Sequence, residues 1–211
     1  MKLKVCGMKY NTAEVAKLQP DYLGFIFYKN SPRDFDDVIP KLPKRIKKVG
    51  VFVDAPIRTV LDKVNYYRLD VIQLHGKESP EYTKDLLRVL TDSAVNYPEI
   101  IKVFSIKDDF DFSQLKPFKD IASYYLFDTK GKLPGGNGYT FNWDVLKDYP
   151  STKPYFLSGG IGLSELEKIK TFKESHASKY CYAIDVNSKF EIESGLKNIE
   201  ELEKFKHELQ H

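Results

Sequence analysis

Eight short β-like runs alternate with helical or helix-like segments along the whole 211-residue chain, and this alternation limits the possible folds more than any other feature. The strand-like runs span residues 3–8, 22–27, 49–53, 71–76, 100–104, 124–128, 155–160 and 181–186, several of them including the turn that follows. Between them, Asn11 is placed to cap a helix reaching about Leu18, which Pro20 stops. Residues 35–42 form a poorly patterned helix, while Ile57, Val60, Leu61 and Val64 fall on one face at helical spacing. Ser79-Pro80-Glu81 supplies an N-cap, a first-turn proline and an early acid ahead of Leu86, Leu87 and Leu90. A weak stripe of Phe112, Leu115 and Phe118 follows the fifth strand, and residues 141–146 begin the sixth helix. Leu163, Leu166, Ile169 and Phe172 make the next face, and the last helix carries Leu196, Ile199, Leu202, Phe205 and Leu209.

Strand followed by helix, repeated in β-first order, implies a parallel sheet with right-handed crossovers. Eight such units predict a closed (β/α)8 TIM barrel, one domain covering residues 1–211. The rival is a doubly wound open sheet, but no GxGxxG follows the first strand. The chain is short for a barrel, so its loops must be tight. The exception is the stretch between Thr129 and Tyr139, where Gly131, Gly135, Gly136 and Gly138 gather around Pro134 and allow the loop to move or to bring backbone close to a ligand.

In such a barrel the active site lies where the strands end. The strand exits collect Cys6, Arg33, His75, Asp128, the Ser158-Gly159-Gly160 turn, and Asp185 with Asn187 and Ser188. Alternation puts Lys4 and Cys6 on one face of the first strand, a thiol at the rim with an amine one layer below. Each member has a plainer reading. Cys6 is equally a small buried hydrophobe, Asp128 a cap for the next segment, and His75 a hydrogen-bonded rim residue. Arg33 is equally a surface partner of Asp36 or Asp37, worth little there. The Gly159-Gly160 turn and Asn187-Ser188 suit a phosphate cradle made of backbone N–H groups, although tight strand-to-helix turns need glycine in any case.

Composition narrows the classes. With 42% hydrophobic residues, 14 Tyr and 14 Phe, core material is ample. Net charge is only +3 with basic and acidic residues interspersed, which argues against a nucleic-acid partner. The two cysteines, Cys6 and Cys181, form no CxxC or Cys/His cluster, against a zinc site or a disulfide framework. No segment approaches the roughly 18 apolar residues of a membrane span, and the first residues have no signal-peptide run. The expectation is a reduced, cytoplasmic, stand-alone protein with no membrane partner.

The motifs in register are Lys4-Val5-Cys6-Gly7, Leu23-Gly24-Phe25-Ile26-Phe27, Ser31-Pro32-Arg33, Val49-Gly50-Val51-Phe52, Gln73-Leu74-His75-Gly76, Leu126-Phe127-Asp128-Thr129, Gly135-Gly136-Asn137-Gly138, Leu157-Ser158-Gly159-Gly160-Ile161 and Ile184-Asp185-Val186-Asn187-Ser188. Together they resemble the successive motifs of the phosphoribosylanthranilate isomerase family. The resemblance implies an Amadori rearrangement of a small anionic sugar phosphate bearing an anthranilate, without cofactor or metal, by a monomer or homodimer. By that resemblance Asp128 is the general acid, with a raised pKa, and Cys6 the general base. Arg33 recognises the anthranilate carboxylate; Gly159, Gly160, Asn187 and Ser188 hold the phosphate. Gly135, Gly136 and Gly138 belong to the lid, and Lys4, His75 and Asp185 complete the rim. Lys4 either adds positive charge near Cys6 or is neutralised by Asp185 across the barrel. The chain departs from the family pattern at Lys9, at Asn142 and at Asn198. Two other readings stay open: a related sugar-phosphate isomerase of broader range, and a barrel that binds but no longer catalyses.

Overall fold

Alternate residues of each strand face opposite sides of the sheet, and here both sides are dry. The computed structural model describes residues 1–93, 97–107, 109–129 and 140–210. Strands β1 (Lys2–Val5), β2 (Tyr22–Phe27), β3 (Lys47–Phe52), β4 (Val71–Leu74), β5 (Glu99–Ile106), β6 (Tyr124–Thr129), β7 (Tyr155–Leu157) and β8 (Cys181–Val186) pair in sequence order. Every neighbour is parallel, and β8 returns to β1 with Lys4 beside Asp185, closing the barrel.

One hydrophobic cluster fills the inside, with Cys6, Val49, Val51, Val71, Ile101, Val103, Leu126, Phe156 and Ala183 among its members. A larger one lies between the strands and their covering segments, and includes Val5, Phe25, Leu74, Phe127 and Ile184. Burial on both faces is why the strands are short continuous apolar runs rather than alternating ones.

The covering segments vary. Helices α1 (Thr12–Lys17), α2 (Ile57–Tyr67), α3 (Pro80–Ser93), α4 (Leu166–Glu174) and α5 (Ile199–Gln210) occupy four of the crossovers and the C-terminus. Val60, Leu61 and Val64 of α2 are buried as the spacing predicts. Ser79 Oγ accepts from the Tyr82 N–H at 3.2 Å, the predicted cap of α3.

Four expectations need correction. Residues 35–42 form no helix: Pro40 lacks an N–H, Pro43 follows closely, and Phe35 instead anchors the segment by an edge contact with Phe25. After β5 and β6 the chain makes 3-10 helices, Phe112–Phe118 and Trp143–Asp148, the first containing Pro117. Leu196 lies outside the last helix, in a two-stranded hairpin formed by β9 (Glu191–Glu193) and β10 (Leu196–Lys197). Asn11 stands at the start of α1 but its side chain makes no cap; it clamps Lys197, donating to its carbonyl at 2.9 Å and accepting from its N–H at 3.0 Å.

The departures from the family pattern find local uses. Asn142 accepts from the Asp144 N–H at 3.1 Å and Asn198 from the Glu201 N–H at 3.3 Å, so both serve helix starts. Lys9 reaches the Pro32 carbonyl at 3.4 Å. Among the described residues no helix is long and apolar enough to cross a membrane.

Candidate active site

The strand ends bring the expected side chains into one pocket. Cys6, Arg33, His75, Asp128, Ser158, Gly159, Gly160, Asp185, Asn187 and Ser188 all line it, joined by Ile26, Tyr28, Val51 and Gln73. The glycines expected in the lid, Gly135, Gly136 and Gly138, lie outside the described residues.

Cys6 leaves β1 with its N–H donated to the Val186 carbonyl at 2.8 Å, which ties the thiol to the eighth strand. Its side chain has room only because residue 24 is glycine: a Cβ there would come within 2.8 Å of Sγ. Gly7 follows at φ +72°, where a Cβ would meet Asn187 Oδ1 at 2.4 Å. Burial pushes the Cys6 thiol above its ordinary range, and the Asp185 carboxylate adds to this. The charges of Lys4 and Lys197 and the Gly7 N–H pull the other way without cancelling it.

Lys4 is fully buried beneath the thiol, and its Nζ donates to Asp185 Oδ2 at 2.7 Å. Burial works against the ammonium, but Asp185 and Cys6 outweigh it and hold the Lys4 pKa above its usual value. The two residues sit side by side on paired strands, not across the barrel, because β8 closes on β1.

Asp128 is the penultimate residue of β6, and its Oδ2 is 3.3 Å from His75 Nε2. His75 Nδ1 in turn lies 3.0 Å from Gln73 Nε2. The imidazole thus bridges Gln73 and Asp128. Two buried acceptors in the pocket wall, Gln73 Oε1 and Asp185 Oδ1, have no partner among the described residues. Buried acceptors are costly to leave unpaired, so both suit the hydroxyl or N–H donors of a ligand.

Arg33 pairs with neither Asp36 nor Asp37. Its Nε lies 2.9 Å from both oxygens of Glu191 and its Nη2 is 2.6 Å from Oε2. Glu191 also takes Lys197 Nζ at 2.7 Å and the Gly195 N–H at 3.1 Å. Burial raises the Glu191 carboxyl, but Arg33 and Lys197 hold it below the usual carboxylate range. On the opposite rim Gly159 (φ +95°) and Gly160 (φ +70°) make a turn open to a bound anion, and a Cβ on Gly159 would strike Thr129 Oγ1.

Gln73, Glu191 and Lys197 are the site residues that sequence reasoning missed. Gln73 was detectable, since it precedes His75 by two on one strand and therefore shares its face. Glu191 carries no local signal because its partner Arg33 is 158 residues away, and Lys197 joins the site only through Glu191 and Asn187.

The fold and this pocket define a class: (β/α)8-barrel enzymes, whose sites lie at the carboxyl ends of the strands. Residues 3–208 match the family model of N-(5'phosphoribosyl)anthranilate (PRA) isomerase. A relative from Parabacteroides distasonis, named N-(5'-phosphoribosyl)anthranilate isomerase, is 37% identical over all of this chain and 94% of its own length. The phosphoribosyl anthranilate isomerase of Thermus thermophilus has the same fold, with a TM-score of 0.79, 27% identity, and coverage of 100% of this chain and 98% of that one. Another solved phosphoribosyl anthranilate isomerase, at TM-score 0.75 and 22% identity over 100% of this chain and 98% of its own, was crystallised with reduced 1-(o-carboxyphenylamino)-1-deoxyribulose 5-phosphate. The chain belongs to the N-(5'-phosphoribosyl)anthranilate isomerase family, isomerases of tryptophan biosynthesis that turn a phosphoribosyl aldose into a ketose.

Proposed function

We propose that the chain converts N-(5-phosphoribosyl)anthranilate into 1-(2-carboxyphenylamino)-1-deoxyribulose 5-phosphate, with Asp128 as general acid and Cys6 as general base. The observation that carries this reading is the meeting, in one pocket, of a buried carboxyl held by His75 and a buried thiol set above an ammonium group.

The chemistry divides between the two. Asp128 gives its proton to the ribose ring oxygen as the bond from C1 to that oxygen breaks, and the anthranilate nitrogen supplies the electron pair that makes a C1–N iminium. The Cys6 thiolate then takes the C2 proton. The C2–H electrons form the C1–C2 double bond and neutralise the iminium, leaving an enolamine that tautomerises to the ketone. The steps move protons only, with no net oxidation, so side-chain acid and base suffice. The iminium also resolves the high thiol pKa, because a cation formed next to Cys6 favours the thiolate at the moment it is needed.

Arg33 presents a planar guanidinium suited to the anthranilate carboxylate. The Gly159-Gly160 turn and Asn187-Ser188 take the phosphate. A free thiol used as a base fits a reducing cytoplasm. The ligand of the crystallised relative, which carries both a carboxyphenylamino group and a phosphate, supports the same substrate class.

The purified protein should quench the anthranilate-type fluorescence of phosphoribosylanthranilate as it consumes it. Absence of consumption would overturn the substrate assignment.

A further inference from the structure

Lys197 is a buried lysine for which the chemistry above has no use; burial pulls its pKa below the ordinary lysine range, while Glu191 and Cys6 favour its charged form. All three of its N–H donors are taken: Glu191 Oε1 at 2.7 Å, Asn187 Oδ1 at 2.8 Å and the Asn187 carbonyl at 3.3 Å. The two residues it holds lead to different parts of the site. Glu191 grips Arg33 along two of its nitrogens. Asn187 is the first residue beyond β8, and its Oδ1 packs so closely on Gly7, the neighbour of Cys6, that no Cβ fits between. Arg33 Cδ crowds the same spot, 2.8 Å from a Cβ built on Gly7. The backbone of Lys197 is held from the other side by the Asn11 amide.

Burying an ammonium is expensive and returns little stability even when it is paired. A lysine held this firmly beside reacting groups is better explained by what it orients. We propose that Lys197 is a positioning residue for the reaction: its ammonium fixes Glu191, and through it Arg33, against the Asn187 turn, and through Asn187 brings a positive charge up to Gly7, the neighbour of Cys6. This rests on the assignment of Cys6 as the base. The charged groups around the thiol are Lys4 on β1, Asp185 on β8, Lys197 on β10, and Arg33 with Glu191 beyond the rim, while His75 and Asp128 share the pocket. Of these, Lys4 is compensated directly by Asp185; Lys197 and Arg33 share the single carboxylate of Glu191, so this side of the thiol carries one excess positive charge.

The test uses Cys181→Ser protein, in which Cys6 is the one remaining thiol of the two in the chain. The rate of iodoacetamide alkylation against pH reports Cys6 ionisation whether or not the enzyme turns over. Lys197→Met should move that titration about one unit upward, slowing alkylation about tenfold at a fixed pH below it. The limb of the kcat profile set by Cys6 should move in the same direction, which a purely structural defect would not do. Lys197→Arg keeps the charge but changes its reach, so it should leave the thiol titration near its original place while raising KM several-fold. An unshifted thiol in Lys197→Met overturns the proposal. So does an equal shift in Lys197→Arg, which also decides the matter should the methionine variant fail to fold. If Cys6→Ala kept full turnover, the base assignment would fall, and the proposal with it, whatever the thiol titration.

Discussion

Replacing Lys4 by methionine removes a buried ammonium and keeps most of its shape. Lys4 Nζ is 2.7 Å from Asp185 Oδ2, Lys4 is fully buried and Asp185 nearly so. Asp185 Oδ1 already has no partner among the described residues, so the variant strips the carboxylate of its charged neighbour in a dry interior. Breaking a buried pair from one side costs about 3–5 kcal/mol. At about 2–4 °C per kcal/mol for a chain of this size, the melting temperature should fall by about 6–20 °C. Replacing both partners, as Lys4→Met with Asp185→Leu, should recover most of that loss, because a well-packed apolar pair is nearly as stable as a buried ion pair. The sign with pH is also determined. Burial already holds the folded-state pKa of Asp185 above its unfolded value against the pull of Lys4, and loss of Lys4 raises it further. The group is then neutral and harmless below the ordinary carboxylate range, and stability is lost as pH rises through the folded-state value. The Lys4→Met deficit should therefore shrink in acid and reach full size near neutrality. Urea unfolding of the two single variants and the double variant at two pH values measures all of this. A Lys4→Met protein within about 1 kcal/mol of the unaltered chain at neutral pH would refute the argument.

Three further outcomes follow from the same geometry. Gly24→Ala should place a methyl 2.8 Å from Cys6 Sγ, destabilise the fold by about 1–3 kcal/mol and depress kcat more than KM, as steady-state kinetics beside a melting curve would show. Because the base must be unprotonated while the acid keeps its proton, kcat/KM should follow a bell-shaped pH profile that falls in both acid and alkali; a profile with a single limb would contradict the two-group assignment. Arg33→Ala should chiefly raise KM, and an unchanged KM would remove Arg33 from substrate recognition.

The barrel was legible because its strands are short apolar runs buried on both faces, and such runs stand out wherever turns and polar helices flank them. Strands β2 and β8 fall where their residues predicted. The covering segments were harder to read. Pro40, Pro43 and Pro117 override a weak helical stripe, and a strand-to-strand crossover tolerates coil or 3-10 turns as long as Phe35, Leu115 or Phe118 still reach the core. At the site, single residues at strand ends were readable because the topology alone puts them on one rim. The charges that hold them were not. The Arg33–Glu191–Lys197 chain joins the second loop to a hairpin beyond the eighth strand, and no local periodicity encodes a contact over that separation. Lys4 with Asp185 was half readable: both face inward, and closure of the barrel supplied the contact.

The division of labour between Asp128 and Cys6 is the centre of this account, and turnover of phosphoribosylanthranilate by Asp128→Asn and Cys6→Ala tests it most directly. Both variants should fold with unfolding curves close to the unaltered chain, bind substrate with similar KM, and lose at least about 100-fold in kcat. Near-normal kcat in either variant would contradict the assignment of that residue, and near-normal kcat in both would contradict the mechanism.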